Sequence, residues 1–177
     1  MDWIIIANGD WLVPLIVILA IALVFFLFLL RTGTSFPYEK IDSICTRTEL
    51  RFYKQLKEIV GSDFVVFGKI RIADLLKVKK GTHKRMSWQN KINCKHIDFV
   101  LCHPESLELL VAIELDDKSH EREERIRRDE FVNQAFEDAR FPILRIKTNE
   151  EYDGAKIRSA IDKALQEKNK NWVIHIE

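Results

Sequence analysis

Glu114, Asp116 and Asp117 crowd the end of one apolar run, in Ile113-Glu114-Leu115-Asp116-Asp117-Lys118-Ser119-His120. Like charges held this close raise one another's proton affinity unless a cation sits among them. Carboxylate oxygens are the ligands that magnesium and manganese prefer, and Mg²⁺ is commonly held by one or two carboxylates plus water. The segment therefore predicts a divalent-metal site, Mg²⁺ or Mn²⁺, provided a partner carboxylate lies nearby.

Asp98 is the candidate partner. His96 to Cys102 and Leu109 to Asp116 read as two strands joined by a short loop containing Pro104 and Ser106. In a hairpin centred on Ser106, Asp98 and Glu114 are equidistant from the turn and project from the same face, with His96 and Asp116. The opposite face would carry Ile97, Phe99, Leu101, Val111, Ile113 and Leu115. A slip of one residue would part the carboxylates and expose the apolar layer. A structural account of the same acids stays open, because Arg122, Arg125, Arg127 and Arg128 follow closely enough to neutralise them.

The elements that must position these groups can be read around them. Thr46-Arg47-Thr48-Glu49 has capping-box spacing, and the helix it opens runs through Phe52, Tyr53, Leu56, Ile59 and Val60 to Gly61. Glu49 lies on that apolar stripe, so it suits both a helix cap and an outer carboxylate near a metal. Phe64 to Ile72 is a β-rich run ending at Asp74. A charged helix is expected over Glu121 to Ala139, then a strand over Phe141 to Lys147 with Pro142 at its start. Strand, helix, strand implies a parallel crossover. A helix over Gly154 to Glu167 and a short strand over Trp172 to Ile176 complete an α/β fold. Its α-β-β-β-α-β order predicts a mixed sheet flanked by helices.

Between Lys77 and Lys95 the composition changes: seven Lys or Arg, no acid, and Met86, Trp88 and His83 among them. Such a stretch reads as a solvated loop, a phosphate-binding strip or a contact for anionic lipid headgroups. Lys79, Lys80, Lys84, Arg85 and Lys91 are its candidate nucleic-acid contacts.

Trp11 to Leu30 carries no charged side chain. Twenty helical residues span roughly 30 Å, the thickness of a bilayer core. A cleaved signal peptide would begin with basic residues and have a shorter apolar region; here residues 1–10 hold Asp2 and Asp10 and no Lys or Arg. Arg31, Lys40, Arg47 and Arg51 all follow the run, which places the carboxyl side in the cytoplasm. The expected organisation is a non-cytoplasmic segment 1–10, a span 11–30, a tether 31–43 and a cytoplasmic domain 44–177. Three cysteines form no evident disulfide framework. The net charge of +1 averages these unlike regions, and no small-molecule cofactor motif is evident.

Lys95-His96-Ile97-Asp98-Phe99-Val100-Leu101-Cys102, the Ile113 to His120 string, Arg128-Asp129 and Pro142-Ile143-Leu144-Arg145-Ile146 together resemble a bacterial family, domain of unknown function 2726. That family in turn resembles the PD-(D/E)XK nuclease superfamily, in the branch related to very-short-patch repair endonucleases. The resemblance implies metal-assisted hydrolysis of nucleic acid at the bacterial inner membrane. It makes Asp98 and Glu114 the metal-binding pair, and Glu49 a helix glutamate reaching the metal through water. Many such nucleases have a lysine two residues after the glutamate, where this chain has Asp116. Asp116 is then either an added ligand or a sign of lost catalytic power, with Lys118, Lys95, Arg145 and His120 as possible substitutes.

Overall fold

A computed structural model describes residues 11–31, 35–116, 123–166 and 172–176. The chain divides into two units, Met1–Ile41 and Asp42–Glu177. The first contains α1 (Leu12–Arg31), an apolar helix with mean hydropathy 3.3 over 18 of its residues and no buried residue. It is long and apolar enough to cross a membrane, a test that a signal sequence also passes.

The second unit is a mixed α/β fold. Its elements are α2 (Arg47–Val60), β1 (Val65–Arg71), α3 (Ile72–Leu75), α4 (Arg85–Asn93), β2 (His96–Cys102), β3 (Leu109–Asp116), α5 (Glu123–Ala139), β4 (Ile143–Lys147), α6 (Gly154–Gln166) and β5 (Val173–Ile176). The five strands form one sheet in chain order. β1, β2 and β3 pair antiparallel, while β3, β4 and β5 pair parallel. The change of sense falls after β3, where α5 carries the chain back to start β4 alongside.

Two apolar clusters cover the faces of the sheet. Phe52 and Leu56 of α2 and Ile157 and Ile161 of α6 pack with Phe99, Leu101, Val111, Ile113 and Leu144. On the other face, Val132 and Phe136 of α5 pack with Val100, Cys102, Ala112 and Ile143. Strands enclosed on both faces need apolar residues at successive positions, which Ile143-Leu144 and Phe99-Val100-Leu101-Cys102 supply.

The hairpin register has Phe99 opposite Ile113 and Leu101 opposite Val111, as a turn centred on Ser106 requires, with an irregularity at Leu101/Cys102. Three expectations change. The basic stretch is not simply a loop, because it includes α4. The first strand stops at Arg71, and Ile72 begins the short helix α3. Ile97 belongs to the second cluster, with Ile72 and Ile92, rather than with Phe99 and Leu101. That last change coincides with Lys69 of β1, whose φ of 55° interrupts the alternation of its strand. Val66 before it packs against the first cluster, whereas Ile70 after it packs against the second.

Candidate metal centre

A row of charged side chains crosses four strands. Gly68 pairs with Phe99 and Ile70 with Ile97, which sets Lys69 beside Asp98. The Phe99–Ile113 pairing sets Asp98 beside Glu114, and Glu114 is paired with Arg145 in the parallel register. The order is cation, carboxylate, carboxylate, cation.

Lys69 bridges two acids, its Nζ lying 2.7 Å from Glu49 Oε1 and 2.8 Å from Asp98 Oδ1. The left-handed backbone at this position is uncommon for a residue with a Cβ, and such conformations persist only where the surroundings enforce them. Burial would lower the Lys69 pKa, but hydrogen bonds to Asp98 and Glu49 and their charges outweigh it and hold the ammonium firmly protonated. Glu49 has two tasks. Its Oε2 accepts from the Thr46 backbone N–H at 2.8 Å, completing the capping box, and its Oε1 accepts from Lys69. Burial would raise its pKa, yet the hydrogen bonds from Lys69 and Thr46 win and leave it below the usual carboxylate range. The cap and the site are therefore one group.

Asp98 Oδ2 accepts from the Leu115 backbone N–H at 2.9 Å, so the hairpin itself fixes this carboxylate. Glu114 differs in kind. Its side chain is 13% exposed, Arg128 approaches Oε1 only to 3.9 Å, and Oε2 is buried with no hydrogen-bond partner. Burial first, and the charge of Asp98 second, push its pKa up to about 7, against the opposing pull of Arg145 and Arg128.

Asp116 shares the face of Glu114 but is committed elsewhere. Arg145, 3% exposed, donates from Nε and Nη2 to both its oxygens at 3.0 and 2.9 Å. The same guanidinium reaches Asn133 at 2.8 Å and Asp129 at 3.0 Å on α5. Planar bidentate pairing of this sort fixes a carboxylate in orientation as well as in charge.

The structure thus brings together Glu49, Asp98 and Glu114, and holds Asp116 in a neighbouring ion-pair network. Lys118 and His120, with Asp117, lie outside the described residues. Of the two other substitutes for the motif lysine, Arg145 is occupied by its acids, and Lys95 donates to the Lys91 carbonyl at 2.8 Å. Lys69 was missed in the sequence. Its signal was a lysine beside a glycine in an otherwise apolar strand, Val65-Val66-Phe67-Gly68-Lys69-Ile70. Lys79, Lys80, Lys84, Arg85 and Lys91 are all exposed, on α4 and the segment before it.

Among the described residues, no group of three or more His, Cys, Asp and Glu is arranged to hold a metal ion. The fit to Mg²⁺ or Mn²⁺ rests on the pair alone, which is the number of carboxylates Mg²⁺ commonly takes. The buried, unpartnered Glu114 oxygen beside Asp98 is the observation that favours a cation there.

A family model described as "Protein of unknown function (DUF2726)" matches residues 41–165. The chain belongs to that family. No curated protein and no solved structure matches it.

Proposed function

We propose that this member of the family is a membrane-anchored, Mg²⁺- or Mn²⁺-dependent phosphodiesterase of the PD-(D/E)XK nuclease kind, acting on nucleic acid. One observation carries the reading: Asp98 and Glu114 adjoin on paired strands, and Glu114 keeps a buried oxygen without a partner. The order of elements supports it: apart from the helices α3 and α4 between the first two strands, it runs helix, three strands, helix, strand, the order the nuclease resemblance implies.

Asp98 and Glu114 would hold the ion, which when bound polarises a phosphoryl oxygen and makes a water more acidic. The remaining work falls to the chain's own residues. Lys69 stands where the missing motif lysine would be useful, presenting a protonated ammonium beside the carboxylates to offset charge that develops on the phosphate. Glu49 orients Lys69 from the helix side. Arg145 keeps Asp116 and Asp129 neutralised, so that they do not add repulsion to the pair. The exposed lysines of the basic stretch, with Arg85, would hold the backbone of the substrate.

A second reading has its own support. Both Asp98 oxygens are already engaged, by Lys69 and by the Leu115 amide, as they would be in a nuclease-fold module that binds nucleic acid without cutting it. The test is cleavage of end-labelled DNA and RNA by the purified full chain with Mg²⁺ or Mn²⁺. Asp98→Asn and Glu114→Gln should each lower the rate by about a hundredfold or more, the scale of several kcal/mol of lost charge stabilisation. Tight binding with no metal-dependent cleavage by the unmodified protein would leave the binding module standing instead.

A further inference from the structure

Beside α5, on the flank of the basic stretch, the surface opens into a groove of about 380 Å³. Its walls include Leu76, Val78, Trp88, Ile92, Phe131 and Ala135. Its rim is cationic: Lys91 Nζ stands 4.3 Å from the centroid of the Trp88 ring and 5.5 Å from that of Phe131, and Lys95 Nζ 5.3 Å from Phe131. Lys77 and Lys79 also border it. Along α5 the lining turns polar, where the exposed Gln134 donates to Asp138 Oδ1 at 3.1 Å. Trp88 remains 45% exposed even with Lys91 over its ring.

A concave apolar slot rimmed by ammonium groups calls for a ligand that is flat and aromatic yet anionic. A nucleotide answers both demands. Its base has a π-face for Trp88, a type of contact that tolerates any sequence, and its phosphate matches the lysines. A duplex does not fit as well, because its bases are already stacked and present only backbone to such a surface. An anionic lipid headgroup would satisfy the rim but leave the recessed walls unfilled.

We propose that this groove receives an unpaired base of a single-stranded nucleic acid, stacked on Trp88 with its phosphates on Lys79 and Lys91. The inference rests on the reading that the protein acts on nucleic acid, and it narrows the substrate to single strands or unpaired ends.

The test uses the full chain in nanodiscs of neutral lipid, in EDTA, with fluorescein-labelled oligothymidylate and a duplex of equal length as probes. Anisotropy should show tighter binding of the single strand. Trp88→Ala should weaken that binding about tenfold and change duplex binding little, the usual worth of one stacked base. Trp88→Phe should restore most of it, and thermal melting of each variant controls for folding. Equal losses for both probes, or none, overturn the inference. So does retention of the protein on anionic liposomes through Lys79 and Lys91 without binding of either probe. Cleavage with Mg²⁺ separates the two levels. Duplex cutting that ignores Trp88 sinks the groove and spares the nuclease, whereas Trp88-dependent binding without cutting does the reverse.

Discussion

At the scale of single residues, Glu114 is the group whose state decides the site. Its folded pKa of about 7 exceeds the ordinary value of 4.5, because burial and the neighbouring Asp98 charge disfavour the carboxylate. Between those two values the folded protein holds a proton that the unfolded chain has released, so stability falls as pH rises through the window and the full cost is present above about pH 7. The size is on the order of 3 kcal/mol. Glu114→Gln keeps the neutral shape, so the metal-free variant should match the parent near pH 4 and be the more stable of the two at pH 8. Urea unfolding in EDTA across that range measures the difference, and parallel pH profiles would remove the buried acid from the account. Adding Mg²⁺ at pH 8 should stabilise the parent and not the variant, since an ion that binds the ionised pair binds only the folded state.

At the scale of elements, the backbone of β1 is shaped for one side chain. Lys69 sits at φ 55° and meets Glu49 and Asp98 from there. Both Lys69→Ala and Lys69→Gly delete the ammonium, but glycine adopts this conformation without the steric cost that a Cβ brings. Lys69→Gly should therefore be about 1 kcal/mol more stable than Lys69→Ala, while both lose metal-dependent activity alike; equal stabilities would mean that the strand relaxes once the lysine is gone. This position also marks where the sequence stopped being legible. The hairpin of β2 and β3 could be read because its two apolar runs and the turn at Ser106 are local, and so could the capping box, whose two partners lie three residues apart. The parallel return through α5 followed from the order of the elements. What could not be read was long-range. Lys69 meets partners 20 and 29 residues away in sequence, at a backbone angle that residue type does not announce. The pairing of Asp116 with Arg145, likewise 29 residues apart, depends on the parallel register and on α5 bringing Asn133 and Asp129 to the same guanidinium. The helix α4 was hidden by its charge, since it buries only Ile92 and so leaves no apolar stripe to recognise.

At the scale of the whole molecule, the question is what α1 does for the domain that follows it. The helix is long and apolar enough to cross a membrane, and if it is retained rather than cleaved it anchors the domain. Basic residues fall on one side of it only: Arg31, Lys40, Arg47 and Arg51 follow, and residues 1–10 have none. By that asymmetry the domain should face the cytoplasm, where nucleic acid is present and the three free cysteines stay reduced. The full chain, expressed in bacteria, should sediment with membranes and resist extraction by alkaline carbonate. Protease added to intact spheroplasts should spare the domain, and lysis should expose it. Intact mass separates anchor from signal sequence, because a retained span keeps residues 11–30 on the membrane-bound protein, whereas a processed chain is shorter by that segment and appears in the soluble fraction. Placing lysines at Asp2 and Asn8 would erase much of the charge asymmetry, and a fraction of the domains should then become accessible to protease from outside. If the variant's domain stays as protected in intact spheroplasts as the parent's, charge does not set the orientation of this chain.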